Sequence, residues 1–121
     1  MIPNPEATVL RQSTVAFIQA DLSRVTLVPR VKVSNGSGGF VYDDLAPRAP
    51  ADGRVIPLTA KATERLNLEG HTVPVEFILL MAYDAQVEKG DRFYARGRSF
   101  EVVHVQEKRD YQTKAELSTI G

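Results

Sequence analysis

The chain has no cysteine among its 121 residues, so a disulfide framework, a thiolate zinc site and a cysteine nucleophile are all excluded. It has no excess charge either. Fifteen basic residues balance fifteen acidic ones, leaving no surplus to neutralise phosphates as a dedicated nucleic-acid clamp would. Zero net charge also removes the self-repulsion that holds many small proteins apart, which permits assembly. Long apolar runs are missing too: the longest, Phe77 to Tyr83, is far too short to cross a bilayer. The opening segment, Met1 to Glu6, lacks the basic region and apolar stretch of a signal peptide, so a soluble protein made in a cytoplasm is expected.

What is present suits one compact domain. A chain of this length buries roughly 65% of the surface its unfolded form exposes. Its 43% apolar and 25% charged content is ordinary for a globular protein.

Asn4-Pro5-Glu6 reads as a helix start, with Asn4 a cap, Pro5 at the first helical position and Glu6 facing the helix dipole. Leu10, Thr14, Phe17 and Ile18 then share a helical face, which predicts a helix over about 5–20. From Val25 to Val33 the period becomes two, with Pro29 marking an edge, bulge or bend. The glycine-rich Ser34-Asn35-Gly36-Ser37-Gly38-Gly39 follows. Phe40-Val41-Tyr42 is a possible short strand, and Asp43 to Gly53 is dominated by breakers, so 34–53 is expected to be a long flexible loop.

A further short strand is expected at Val55 to Leu58, and Thr59 to His71 is ambiguous. Thr72 to Tyr83 reads as a strand apolar on both faces, through Ile78 and Leu80 especially, and so covered by its own helix or by another subunit. Lys89-Gly90-Asp91 is a turn and Arg96-Gly97 a tight hairpin turn between strands at 92–95 and 100–105. In the last strand Tyr111, Thr113, Ala115, Leu117 and Thr119 form the buried face, and Gln112, Lys114, Glu116 and Ser118 the wet one. The expected fold is mainly β: a small β-barrel or sandwich over about 25–120 with one N-terminal helix and a long flexible inter-strand loop.

Catalytic patterns are lacking. His71 and His104 have no partner at zinc-binding spacing, and no nucleophile-elbow pattern is present. The side chains of Asp43 and Asp44 diverge in an extended segment, which disfavours a metal clamp or shared-proton dyad. Ser37-Gly38-Gly39 lacks the lysine and following helix of a phosphate cradle. Arg92, Arg96 and Arg98 on the last hairpin are better read as charge protecting an exposed edge than as a nucleic-acid surface. No enzymatic activity, cofactor or metal is expected.

The segment from Gly90 to Val105, with its Gly-Asp turn, glycine hairpin and returning Phe100-Glu101-Val102-Val103 strand, resembles a pattern of tailed-phage neck proteins. Asp110 to Leu117 resembles their final strand. Phe17 to Asp21 leading into Val25 to Arg30, and Gly38 to Tyr42 with Pro47 to Pro50 after it, resemble head-to-tail stoppers of long-tailed phages. Thr59 to Gly70 matches poorly.

The resemblance implies a structural virion protein without catalytic activity. It would form a homo-oligomeric ring, of six or twelve copies in the relatives, between the portal or adaptor of the DNA-filled head and the tail terminator or tail tube. Double-stranded DNA would pass through its centre, and no membrane is involved. Ser34, Asn35, Gly36, Ser37, Gly38, Gly39, Arg48 and Gly53 are then the candidates for a channel-gating loop, with Arg48 approaching phosphates. Phe17, Ile78 and Leu80 are the candidates for subunit interfaces. The competing expectations are a different neck tier, such as adaptor or tail terminator, an OB-like module binding nucleic acid on Phe93, Tyr94 and Phe100, and a small enzyme using His71 or His104 as base.

Overall fold

A computed structural model describes residues 5–59, 75–109 and 111–120. The chain opens with helix α1 (Pro5–Ala20), which begins at the proline and carries Glu6 in its first turn. Eight strands follow: β1 (Ser23–Val25), β2 (Arg30–Ser34), β3 (Phe40–Asp44), β4 (Ala51–Pro57), β5 (Phe77–Met81), β6 (Arg92–Ala95), β7 (Arg98–Lys108) and β8 (Thr113–Ile120). Six of them form one antiparallel sheet in the order β1-β4-β5-β8-β7-β6. Beyond β1, Val28 and Arg92 exchange backbone hydrogen bonds of 2.8 and 3.1 Å, which brings the two edges together. The result is a nearly closed barrel, and closure removes the open edges that a six-stranded sheet would otherwise present.

The core fills this barrel. Val25, Val55, Leu79, Met81, Phe93, Phe100, Val102, Ala115 and Leu117 point inward from alternating positions on their strands, and Leu27, just past β1, joins them. Phe100 lies between two other rings, stacked on Phe93 and edge-on to Phe77, each with its centroid 5.2 Å away. Gly53 is buried on β4, where an added Cβ would meet Val25 Cγ2 at 3.2 Å and both Leu79 Cδ1 and the Leu80 carbonyl at 3.3 Å. Any larger residue there would make these neighbours give by a few tenths of an ångström. Register shifts after Val102 and after Val105 bend the eleven-residue β7 around the wall.

Among the described residues the hydroxyl of Thr113, inside the barrel and on a residue only 1% exposed, has no hydrogen-bond partner. Replacing it with the near-isosteric valine removes the desolvation cost of an unsatisfied donor. Thr113→Val is expected to raise stability by about 1 kcal/mol in urea titration; an unchanged or lowered midpoint would contradict it.

Helix α1 packs across the outside of β4 and β5. Its buried line is Ala7, Thr14 and Ile18. The helix is therefore turned slightly from the expected face, with Leu10 and Phe17 left at its margin, 36% and 46% exposed. Thr14 donates to the Leu10 carbonyl at 3.0 Å, one turn back, which satisfies its buried hydroxyl.

Two expectations require correction. The outer side of β8 is not wet throughout, since Glu116 is 2% and Ser118 7% exposed. β8 lies between β5 and β7 inside the sheet, and at these two positions its outer face is covered as well as its inner one. The segment 34–53 is also not one long loop. It contains β3 and the first residues of β4, and only 45–50 joins them without regular structure. The alternation read up to Val33 resumes at Phe40, so the glycines make a hairpin turn between two strands rather than opening a loop.

Candidate functional site

The hairpin β2–β3 stands off the barrel. It pairs over five residues a side, from Arg30 opposite Asp44 to Ser34 opposite Phe40. Its strands make their main contacts with each other rather than with the barrel. At its base the Leu45 N–H donates to the Pro29 carbonyl at 2.8 Å and the Arg48 N–H to the Leu27 carbonyl at 2.9 Å. Pro29 therefore sits where the chain leaves the barrel for the arm, a place where its missing donor costs nothing.

At the far end Asn35 organises the turn. Its side-chain oxygen accepts from the Ser37 and Gly39 N–H groups at 2.8 and 3.1 Å, and its own N–H donates to the Gly39 carbonyl. Gly36 and Gly38 hold φ of 79° and 83°, in the left-handed region where glycine is unstrained.

Cross-strand pairing gives the arm two chemically different faces. Arg30, Lys32 and Ser34 share one with Phe40, Tyr42 and Asp44. There the Arg30 guanidinium lies 4.7 Å from the Tyr42 ring and 3.2 Å from an Asp44 oxygen, and the Lys32 ammonium lies 4.3 Å from the Phe40 ring. Val31, Val33, Val41 and Asp43 share the other. Phe40 and Tyr42 are 61% and 57% exposed, and Val31 and Val41 are exposed on the opposite side. Among the described residues nothing covers this doubly apolar hairpin.

Ser34, Asn35, Gly36, Ser37, Gly38 and Gly39 come together at this tip. Arg48 and Gly53 do not join them. Gly53 lies buried in the barrel wall on β4, so it is not a loop residue. Arg48 turns inward. Its guanidinium reaches Asp91 Oδ2 at 3.4 Å, Glu88 at 3.6 Å and Gln86 at 3.4 Å, and two carboxylates leave little of it for phosphate. Ile78 and Leu80 are 5% and 7% exposed within the subunit, which takes them off the surface where an interface would need them. Phe17 is on the surface, under the Arg54 guanidinium at 4.0 Å.

The last-hairpin arginines are engaged locally. Arg92 binds Glu101 at 3.0 Å, and Arg98 lies over the Phe77 ring. Arg96 holds φ of 53° beside Gly97 at 76°, the two positive values that a two-residue hairpin turn requires. It donates to Ser23 Oγ, to the Asp21 carbonyl and to the Asp21 carboxylate, tying the end of α1 to the β6–β7 turn.

That hydrogen bond from Arg96 holds the Asp21 carboxyl below its ordinary pKa, against a smaller opposing effect of desolvation, and the charges of Arg96 and Arg54 lower it further. A depressed carboxylate stabilises the fold above its unfolded pKa and loses that contribution as pH falls through the folded one. Arg96→Gln should return Asp21 to the normal carboxylate range in an NMR titration; a midpoint still depressed would assign the shift elsewhere.

Phe93 and Phe100 are buried in the barrel, leaving Tyr94 alone of the three proposed stacking residues exposed. Asp43 and Asp44 point to opposite sides of β3. His104 is exposed on β7, and His71 lies outside the described residues. Among the described residues no group of three or more His, Asp or Glu side chains is placed to hold a metal, and no helix is long and apolar enough to cross a membrane.

A hollow of about 510 Å³ opens between the end of α1, the 48–52 segment and the turn after β5. Ile18, Leu27, Pro50, Met81 and Ala85 line it, with Arg48 at its side.

No protein-family model matches the chain, and no curated protein matches it significantly.

Proposed function

We propose that this chain is a structural subunit of the neck of a tailed phage, a head-to-tail stopper that forms a homo-oligomeric ring between the portal or adaptor and the tail. In this reading the β2–β3 hairpin is the arm that narrows the DNA channel, and the barrel is the wall of the ring. The observation that carries it is the arm itself, five paired residues a side held away from the barrel with apolar side chains on both faces. A free monomer gains nothing from such a surface, whereas a subunit among copies of itself can cover it.

The charge balance supports the same reading. DNA has to slide through a channel on ejection, and a wall without excess positive charge does not hold it back. Arg48, Arg92 and Arg98 are occupied by the barrel's own carboxylates and rings.

Shortening the arm tests this. With Val31 to Asp43 replaced by a short glycine turn, the barrel should fold and heads and tails should assemble, while packaged DNA leaks from the heads. Full retention of DNA in particles carrying the shortened chain would overturn the gating role. Imaging of purified virions with a label on this chain separates the stopper tier from adaptor and tail terminator.

A further inference from the structure

We propose that the arms of neighbouring copies stack face to face, the cation–aromatic face of one arm on the aliphatic face of the next. This rests on the ring reading and names the contact that would join its arms. The two faces of a single arm are different and match each other. One presents Lys32 with the exposed rings of Phe40 and Tyr42; the other presents Val31, Val33 and Val41 with Asp43 at its side. Stacked in this way, rings and valines bury one another and Lys32 of one copy meets Asp43 of the next. Lys32 has no carboxylate partner among the described residues, since its ammonium rests only on Phe40. Asp43 points away from Arg30, which is satisfied by Asp44 and Glu101 on the first face.

Like-with-like pairing is worse on both sides. Two cationic faces would bring Lys32 against Lys32, and two aliphatic faces would bring Asp43 against Asp43 while leaving all four aromatic rings in water. A contact between two different faces is heterologous, so repetition extends it beyond a dimer, into a ring where the rotation between copies closes and into an open filament where it does not. Arms of this size are too small to hold two chains together alone, so stacking depends on the barrels raising the local concentration of neighbouring arms or on a concentrated solution.

The absence of cysteine makes a direct test available. Ser34 and Val41 lie on opposite faces of the same arm, so cysteines placed at both cannot close a disulfide within one chain. Oxidation of the Ser34→Cys/Val41→Cys chain at millimolar concentration should give a ladder of covalent multimers, and each single variant should stay monomeric. Adding Lys32→Asp should cut the ladder about tenfold, and further adding Asp43→Lys should restore it.

Dimers from either single variant would show like faces meeting and would overturn the proposal. So would a double variant that gives no ladder, or a ladder indifferent to the charge exchange. Mass photometry of the unmodified chain keeps the two readings apart. Rings that form without a ladder remove the stacking and leave the ring, whereas a charge-dependent ladder from a chain absent from virion necks keeps the stacking and removes the neck.

Discussion

Replacing Phe100 with alanine is expected to cost about 3–5 kcal/mol. Phe100 is 1% exposed, and its ring touches the two other aromatic rings of the core, Phe93 in a stacked arrangement and Phe77 edge-on. Truncation removes the buried ring and leaves a void. Strands from opposite sides of a nearly closed barrel cannot collapse into that void without breaking their ladders. Domains of this size are stable by about 5–15 kcal/mol, so one substitution should remove a third or more of the total. The measurement is a urea titration, in which the midpoint should fall with the slope unchanged. Phe40→Ala provides the contrast: that ring is 61% exposed on the arm, and its loss should move stability by no more than about 0.5 kcal/mol. Equal losses at the two positions would mean that the arm packs on the barrel in solution, contrary to its place outside the core.

The difference between those phenylalanines shows where the sequence could be read and where it could not. Period-two alternation and the Arg96-Gly97 turn disclosed the last hairpin, because both signals are local. Helix α1 was legible from Pro5 and its apolar spacing. Its rotation was not, because the choice of Thr14 with Ala7 over Phe17 is made by the sheet beneath.

The arm was half legible. Phe40-Val41-Tyr42 carried the pattern of a strand, but the glycines before it and the prolines after it suggested a loop. Nothing local says that Asn35 knits the glycines into a turn or that Arg30 meets Asp44 across it. Gly53 and Arg48 misled for a related reason. A glycine after a breaker-rich stretch looks like a hinge, and an arginine between prolines looks exposed. The close approach of Val25 and Leu79, and the carboxylate of Asp91, come from strands distant in sequence. The same long-range closure that makes the barrel hid its two most specific packing positions.

Arg48 is where the two kinds of reading can be separated by experiment. Asp91 is 1% exposed, and its carboxylate accepts the Glu88 N–H at 2.9 Å and faces the Arg48 guanidinium at 3.4 Å. Those contacts pin the turn that leads into β6, whose backbone is bound to Val102 on β7. Arg48→Met keeps most of the side chain's volume but leaves Asp91 with one backbone donor for a buried charge. Breaking a fully buried pair costs about 3–5 kcal/mol. Here the guanidinium is 22% exposed and its buried Nε already lacks an acceptor, so a loss of about 2–3 kcal/mol is expected. Adding Asp91→Asn should return part of that loss, because the stranded charge is gone, and a double-mutant cycle measures how much. If the proposed neck function holds, then at a temperature where the Arg48→Met barrel remains folded, particles carrying it should retain their DNA as well as unmodified ones. Leakage from a folded variant would put Arg48 at the phosphates after all, and an unchanged urea midpoint would show that Asp91 does not depend on it.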